Sequence, residues 1–276
     1  MSQIAPASEE VFFPNAPLIE LSVEVTWSPK ARAEATESLA GTSYVGGLDS
    51  ETITQLQSGL ANIGYFRSRR EYPEGFLAPT GTPLITWEAD AEEMKSLQIR
   101  AGDGSFAVAA FPPYRSWNTF KPRLLDALTV LINSRSEDER ANPFERIAVR
   151  YIDAFGPSLT EGRTRRAFVE DVLGFKLELP KSIASSLSVD ENSPKIFSTL
   201  YSAIDDDLRL NVAVGEATVN GDETVVLDMT VASRSSVEPD LSTVVAILDT
   251  AHDYIRTVFM SMTDEIRSQL GEGSAS

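Results

Sequence analysis

Alternation of apolar and polar residues predicts several β-strands in this chain. The clearest case is residues 16–27, where every second side chain is apolar, so one face of the strand is expected to pack in a core. Residues 82–89 and 146–155 predict two further strands. The apolar positions of the first strand are Ile19, Leu21, Val23, Val25 and Trp27.

Two β-hairpins are predicted from the same alternation on both sides of a short turn. Residues 96–111 turn at an Asp-Gly pair at 103–104, and residues 208–233 turn at an Asn-Gly pair at 220–221. Both pairs tolerate the positive φ angles that a two-residue turn needs. Both hairpins are therefore expected to be antiparallel.

Apolar residues at helical spacing predict amphipathic helices in residues 50–66, 114–135 and 240–270. The third pattern is the longest, about 31 residues or ~46 Å at 1.5 Å per residue. Because this length exceeds what one small sheet can cover, we expect its end, residues 262–270, to pack against a second subunit or a partner protein. The sequence thus predicts a homodimer through the C-terminal helix.

Each half of the chain offers antiparallel strands followed by an amphipathic helix. A sheet with one apolar face needs a cover, and the apolar stripe of a helix supplies it. We therefore predict an α+β protein of two sheet-plus-helix units, residues 1–156 and residues 157–276, or a single continuous domain with this content. The order of elements suggests a duplication, although no repeat of residues accompanies it.

Composition excludes several functions. The net charge is −17, from 24 basic and 41 acidic residues. Such a surface repels phosphate backbones and anionic lipid, so nucleic acid is not an expected partner. The chain has no cysteine, which excludes disulfides, thiolate nucleophiles and cysteine-bound zinc. The sequence contains no apolar run of about 18 residues, so no membrane span is predicted. It also shows no signal-peptide pattern, and we therefore expect a cytoplasmic protein.

His252 is the only histidine, which removes multi-histidine metal sites. Asp249, His252 and Asp253 share one helix turn and could together approach a metal, but no matching set of carboxylates occurs on another helix. We therefore predict no metal, no cofactor and no catalytic residue. His252 is expected to fill a place in the apolar stripe and to bond a neighbouring side chain.

Arg150 lies in the middle of the strand at residues 146–155, on the same face as Ala148 and Ile152. A buried arginine needs a partner, because an isolated charge is costly to remove from water. The first strand offers Glu20 and Glu24, and we expect a structural ion pair with Glu20 first and Glu24 second. In the alternative, Arg150 binds an anion in a cleft.

Three segments also resemble a known family. Residues 13–27 are similar to an opening Asn-Pro-Pro-Ile-like turn and Glu-bearing strand, residues 146–155 to a central Arg-Ile-x-x-Arg-Tyr-Ile-Asn motif, and residues 248–271 to a closing Leu-His…Phe…Thr helix. These are motifs of a sporadically distributed bacterial family of about this length whose function is unknown.

This chain departs from those motifs at Ala16, where the first proline would stand, at Asp153, in place of asparagine, and at Ala251, in place of leucine. The scattered occurrence of the family implies an accessory gene, including one in a defence or toxin-linked island. The resemblance implies no established activity and no catalytic residues.

We expect a non-enzymatic binding or accessory protein that acts through a protein partner, whose identity the sequence does not give. The alternative is a protein that binds a small anionic ligand, or an enzyme, with a cleft around Arg150, Tyr151 and His252. Convergence of these three side chains on one open pocket would favour the alternative.

Overall fold

A computed structural model describes residues 11–28, 38–39, 42–45, 50–72, 78–79, 81–113, 116–176, 197–271 and 273–274. The strands, in chain order, are β1 (Val11–Phe12), β2 (Leu18–Thr26), β3 (Ser38–Leu39), β4 (Thr42–Val45), β5 (Arg67–Arg70), β6 (Ala78–Pro79), β7 (Ile85–Glu88), β8 (Leu97–Gly102), β9 (Ser105–Ala110), β10 (Arg146–Phe155), β11 (Phe197–Ala203), β12 (Leu208–Val219), β13 (Asp222–Ser233) and β14 (Gly273–Ser274).

The α-helices are α1 (Ser50–Asn62), α2 (Trp117–Ser134), α3 (Glu137–Arg140), α4 (Pro157–Thr160), α5 (Arg165–Ala167), α6 (Leu241–Met262) and α7 (Arg267–Leu270). Short 3₁₀ turns occupy Glu92–Met94 and Asp264–Ile266, and a π-helical turn occupies Phe168–Val172. Among the described helices, none is both long enough and apolar enough to cross a membrane.

Nine strands form one antiparallel sheet in the order β11-β12-β13-β10-β2-β9-β8-β7-β5. The two predicted hairpins are confirmed as β8–β9 and β12–β13, with positive φ angles at Gly104, Asn220 and Gly221. The α+β class is also confirmed. The strands of the two predicted units do not form separate sheets, because β10 pairs with β2 on one side and with β13 on the other.

One face of the sheet carries the core. Leu21, Val23 and Val25 of β2 are buried, and they lie beside the buried odd-numbered residues of β10, with Val23 opposite Val149. Helices α2 and α6 pack on this face. We call it the covered face. Helix α1 packs on α2 so closely that a Cβ at Gly59 would lie 2.6 Å from Val130 Cγ1.

The long C-terminal helix is shorter than predicted. Helix α6 ends at Met262, and at Thr263 the backbone leaves the helix while its hydroxyl donates to the carbonyl of Phe259 at 2.7 Å. The chain then continues through a 3₁₀ turn into α7. Ile266 and Leu270 are both 0% exposed within their own chain. The prediction of one helix over residues 240–270 was therefore wrong, and the homodimer that it suggested loses its argument from helix length.

Arg150 lies on the opposite face of the sheet, which we call the open face. Its guanidinium donates to both carboxylate oxygens of Asp228 on β13, at 2.9 and 2.5 Å. Glu20 instead accepts from Arg100 at 3.4 Å, and Glu24 accepts from Arg146 at 2.6 Å. The predicted partners of Arg150 were thus wrong, and so was its predicted burial, because its side chain is 46% exposed.

The open face explains how a strand tolerates these arginines. Ala109, Ala148 and Ala232 lie on this face and are nearly inaccessible to water. Long arginine side chains can cover such small residues with their alkyl stems and still hold the charged end at the surface. The guanidinium of Arg150 is therefore paired while it stays partly exposed to water, and the bond to Asp228 raises its pKa.

We predict that Arg150→Met lowers the free energy of unfolding by no more than about 1 kcal/mol, because partly exposed ion pairs contribute little. Arg146→Met, which breaks a similarly exposed pair with Glu24, is the matched control and should cost a similar amount. Urea unfolding of Arg150→Met, Asp228→Asn and the double variant measures the coupling between the two groups. A loss of about 3 kcal/mol or more would instead indicate a desolvated pair.

Candidate functional site

A cavity of about 490 Å³ lies between the covered face of the sheet and helix α6. Its wall is largely apolar, with a few polar and charged side chains. The lining comes from the N-terminal segment, the loop after β9, the start of α2, β10, β13 and α6. The lining residues are Phe13, Pro14, Ala16, Leu18, Pro112, Pro113, Ser116, Trp117, Tyr151, Asp153, Met229, His252, Ile255, Arg256, Phe259 and Met260.

The N-terminal segment forms one wall because its backbone is fixed at two places. The backbone N–H of Asn15 donates to the carbonyl of Leu270 at 3.2 Å, and the N–H of Ala154 donates to the carbonyl of Pro17 at 2.8 Å. The rings of Phe13 and Phe259 meet edge to face with centroids 6.2 Å apart. These contacts hold Ala16, an exposed residue, at the rim of the cavity.

Asp249 joins helices α2 and α6 beside the cavity. One of its oxygens accepts from the indole N–H of Trp117 at 3.0 Å, and the other pairs with Lys121 at 2.6 Å. The indole ring of Trp117 also stacks on His252, with centroids 4.6 Å apart and planes 4° from parallel. Both oxygens of Asp249 thus bond to side chains of α2, and these bonds account for its position without the metal arrangement considered for this helix turn.

His252 hydrogen-bonds to Tyr151 across the interface between helix and sheet. The distance between Tyr151 Oη and His252 Nδ1 is 2.8 Å. Burial lowers the pKa of His252 to about 4, and the nearby Arg256 acts in the same direction. The imidazole is therefore neutral at pH 7. The expectation that His252 sits in the helix stripe and bonds a neighbour agrees with this geometry.

Asp153 is the unusual residue of the cavity. It is 3% exposed, and its Oδ2 has no hydrogen-bond partner in the part of the chain that the structure describes. Burial raises the pKa of this carboxyl to about 8, so it keeps its proton at pH 7. The pairing of β10 with β2 shifts register here, which places Leu18 opposite Asp153 and brings Leu18 into the lining.

The structure brings together two of the three residues predicted for a ligand cleft. Tyr151 and His252 both line the cavity, whereas Arg150 points to the open face of the sheet. Asp153 and Arg256 line the cavity as well, and sequence reasoning gave neither a role. The sequence did contain a signal for Asp153. It follows Val149 and Tyr151 at every second position of the strand, so all three side chains lie on the same face of the sheet.

The cavity combines a largely apolar wall with a few polar groups. Its polar groups are a protonated carboxyl, a neutral imidazole bonded to a phenol, a serine and one arginine. Within the described ranges, no three His, Cys, Asp or Glu side chains are grouped so that they could hold a metal ion. The arrangement can therefore enclose an apolar molecule and orient it through a few polar contacts.

Comparisons with known proteins leave the site to be interpreted from its own geometry. No family model and no curated protein matches the chain. Among solved structures, the di-domain ARO/CYC StfQ from the steffimycin biosynthetic pathway is 11% identical, covers 67% of this chain and 72% of that chain, and has a TM-score of 0.16. So low a TM-score carries no argument. The resemblance to the sporadically distributed bacterial family stays a prediction.

We predict that Asp153→Asn makes the protein more stable than wild type at pH 8, with no difference near pH 4. Between these values the unfolded carboxyl is ionised and the folded one is protonated, so wild type loses stability as the pH rises toward 8. Thermal melts across this range measure the slope of the melting temperature against pH. Asp206→Asn, at an exposed position, should keep the wild-type slope; if Asp153→Asn keeps it too, the buried proton is disproved.

We expect the opposite dependence from His252. In the unfolded chain the imidazole becomes protonated below about pH 6.5, whereas in the folded protein it stays neutral until about pH 4. The free energy of unfolding therefore falls as the pH falls through this window. His252→Asn, whose amide can still meet Tyr151, should lack this acid-side loss. Urea unfolding at pH 6.5 and pH 4.5 compares the two proteins, and equal losses would contradict the assignment.

Proposed function

We propose that this protein binds a small, largely apolar molecule in the cavity between the sheet and helix α6. The observation that carries the proposal is the cavity itself, about 490 Å³ in volume, with an apolar wall and a few convergent polar groups. Binding sites for small molecules have this character, with volumes of about 300–1,000 Å³. The proposal develops the ligand-binding alternative, with Asp153 replacing Arg150 in the residue set.

Binding is preferred to catalysis because the phenol and the imidazole of the wall already make structural contacts with their neighbours. Tyr151 and His252 bond to each other, and Trp117 stacks on the imidazole. A histidine that activates a nucleophile bonds to its hydroxyl or thiol, whereas in the described part of the chain His252 makes its side-chain hydrogen bond with the phenol of Tyr151. The bonds found at His252 instead fix the wall of a pocket.

Action through a protein partner remains a second proposal, with one supporting observation. Strand β11 is an edge of the large sheet and exposes three large apolar side chains: Phe197 at 76%, Leu200 at 50% and Tyr201 at 68%. Exposed edge strands with apolar side chains are common places for another chain to bind. A link to bacterial defence or to a toxin system rests on the family resemblance alone.

We predict that N-phenyl-1-naphthylamine, a neutral dye that fluoresces in apolar surroundings, binds the wild-type protein at one site. Ala16→Trp places a large ring at the rim of the cavity and should weaken binding at least tenfold. Ser58→Trp, at an exposed position of α1, is the matched control and should bind like wild type. Fluorescence titration measures all three. Unchanged affinity in Ala16→Trp, or no saturable binding to wild type, would overturn the proposed function.

A further inference from the structure

Arg256 brings a positive charge to the wall of the cavity, one helical turn beyond His252 on α6. The residue is partly exposed, whereas two apolar residues of the same lining are buried, Ile255 at 1% and Met229 at 0% exposure. The cavity thus offers apolar surface inside and a cationic group nearer to water. A molecule that matches both features has an apolar body and an anionic end.

We propose that the ligand is an apolar carboxylic acid in its ionised form, and that the guanidinium of Arg256 binds its carboxylate. This inference rests on the proposed function and adds the chemical class of the ligand. A carboxylate matches the planar fork of a guanidinium, which can donate two parallel hydrogen bonds to its two oxygens. Because arginine has five N–H donors, Arg256 can bind a carboxylate while it keeps its contacts within the protein.

Two carboxyl groups beside the cavity leave the positive charge of Arg256 facing the ligand. Both oxygens of Asp249 bond to side chains of α2, and one of these partners is the cation Lys121. Asp153 is 3% exposed, and burial raises its pKa to about 8, so it carries a proton at pH 7. Neither group therefore presents an unpaired negative charge to a ligand.

Asp253 is the carboxylate that competes for Arg256. It precedes Arg256 by three residues on α6 and lies outside the lining. Burial raises the pKa of Asp253, and the nearby charge of Arg256 opposes that rise. A carboxylate beside the guanidinium suits a ligand with one negative charge better than a phosphate monoester, which carries nearly two. Asp253→Asn should therefore strengthen the binding of a carboxylate.

Three naphthalene derivatives of nearly equal shape test the inference at pH 7. They are 2-naphthoate, an anion, 2-naphthamide, which is neutral, and naphthalene-2-carboxamidine, a cation. Their affinities are measured by displacement of N-phenyl-1-naphthylamine from wild type, Arg256→Met, Arg256→Lys and Asp253→Asn. Methionine keeps an unbranched stem without charge, and lysine keeps the charge without the fork. Arg209→Met, at an exposed position of β12 outside the lining, removes the same charge and is the matched control.

We expect wild type to bind the naphthoate more tightly than the amide, and the amide more tightly than the amidine. The affinity ratio of naphthoate to amide should fall about tenfold in Arg256→Met, because a charge-assisted hydrogen bond is lost. Arg256→Lys should keep part of this ratio, Arg209→Met all of it, and Asp253→Asn should raise it. Small changes in cavity shape act on both probes, so the ratio removes their effect.

Three results would overturn the inference and leave the proposed function intact. The first is a naphthoate that binds wild type no better than the amide, a comparison that needs no variant to fold. The second is an equal ratio in wild type and Arg256→Met, while the dye still binds and the amide displaces it. The third is tightest binding of the amidine, weakened by Asp253→Asn, which would assign the carboxylates to a cation. If the dye fails to bind wild type, the proposed function fails first, so the two failures are distinct.

Discussion

Backbone pairing of β10 with β2 on one side and with β13 on the other holds the two halves of the chain in one sheet and decides which side chains meet the helices. With Val23 opposite Val149, the odd-numbered residues of β10 enter the core, and Arg150 reaches solvent and Asp228. A shift of one residue would reverse every side chain and bury the guanidinium. The same register places Tyr151 and Asp153 beneath helix α6.

The cavity follows from how α6 rests on this sheet. Asp249 and the stack of Trp117 on His252 fix α6 to α2, and the hydrogen bond from His252 to Tyr151 fixes it to β10. These contacts hold together the parts of the wall that α2, α6 and β10 form. Asp153 lies at the sheet wall as a carboxyl without a partner for Oδ2, which costs stability at neutral pH. Natural proteins tolerate such local costs mainly at functional sites.

Local patterns in the sequence were enough for the elements and not for their arrangement. Alternation predicted β2, β10 and both hairpins, and helical spacing predicted α1 and α2, because these signals lie within one segment. The break at Thr263 gave no signal, since the apolar stripe continues through Ile266 and Leu270 without glycine or proline. The partner of Arg150 depends on β13 lying beside β10, a neighbour that periodicity does not specify. Tyr151 and His252 were identified, but Asp153 was noticed only as a departure from a motif.

The central claim is that a buried carboxyl in the cavity keeps its proton at neutral pH. Carbon-13 NMR of the side-chain carboxyl, assigned by comparison with Asp153→Asn, follows its ionisation directly across the pH range. We predict a midpoint near 8, far above the ordinary value of about 4 for aspartate, because burial disfavours the charged form. A midpoint at or below about 4 would show an ionised, solvated or paired carboxylate and would contradict this account of the site.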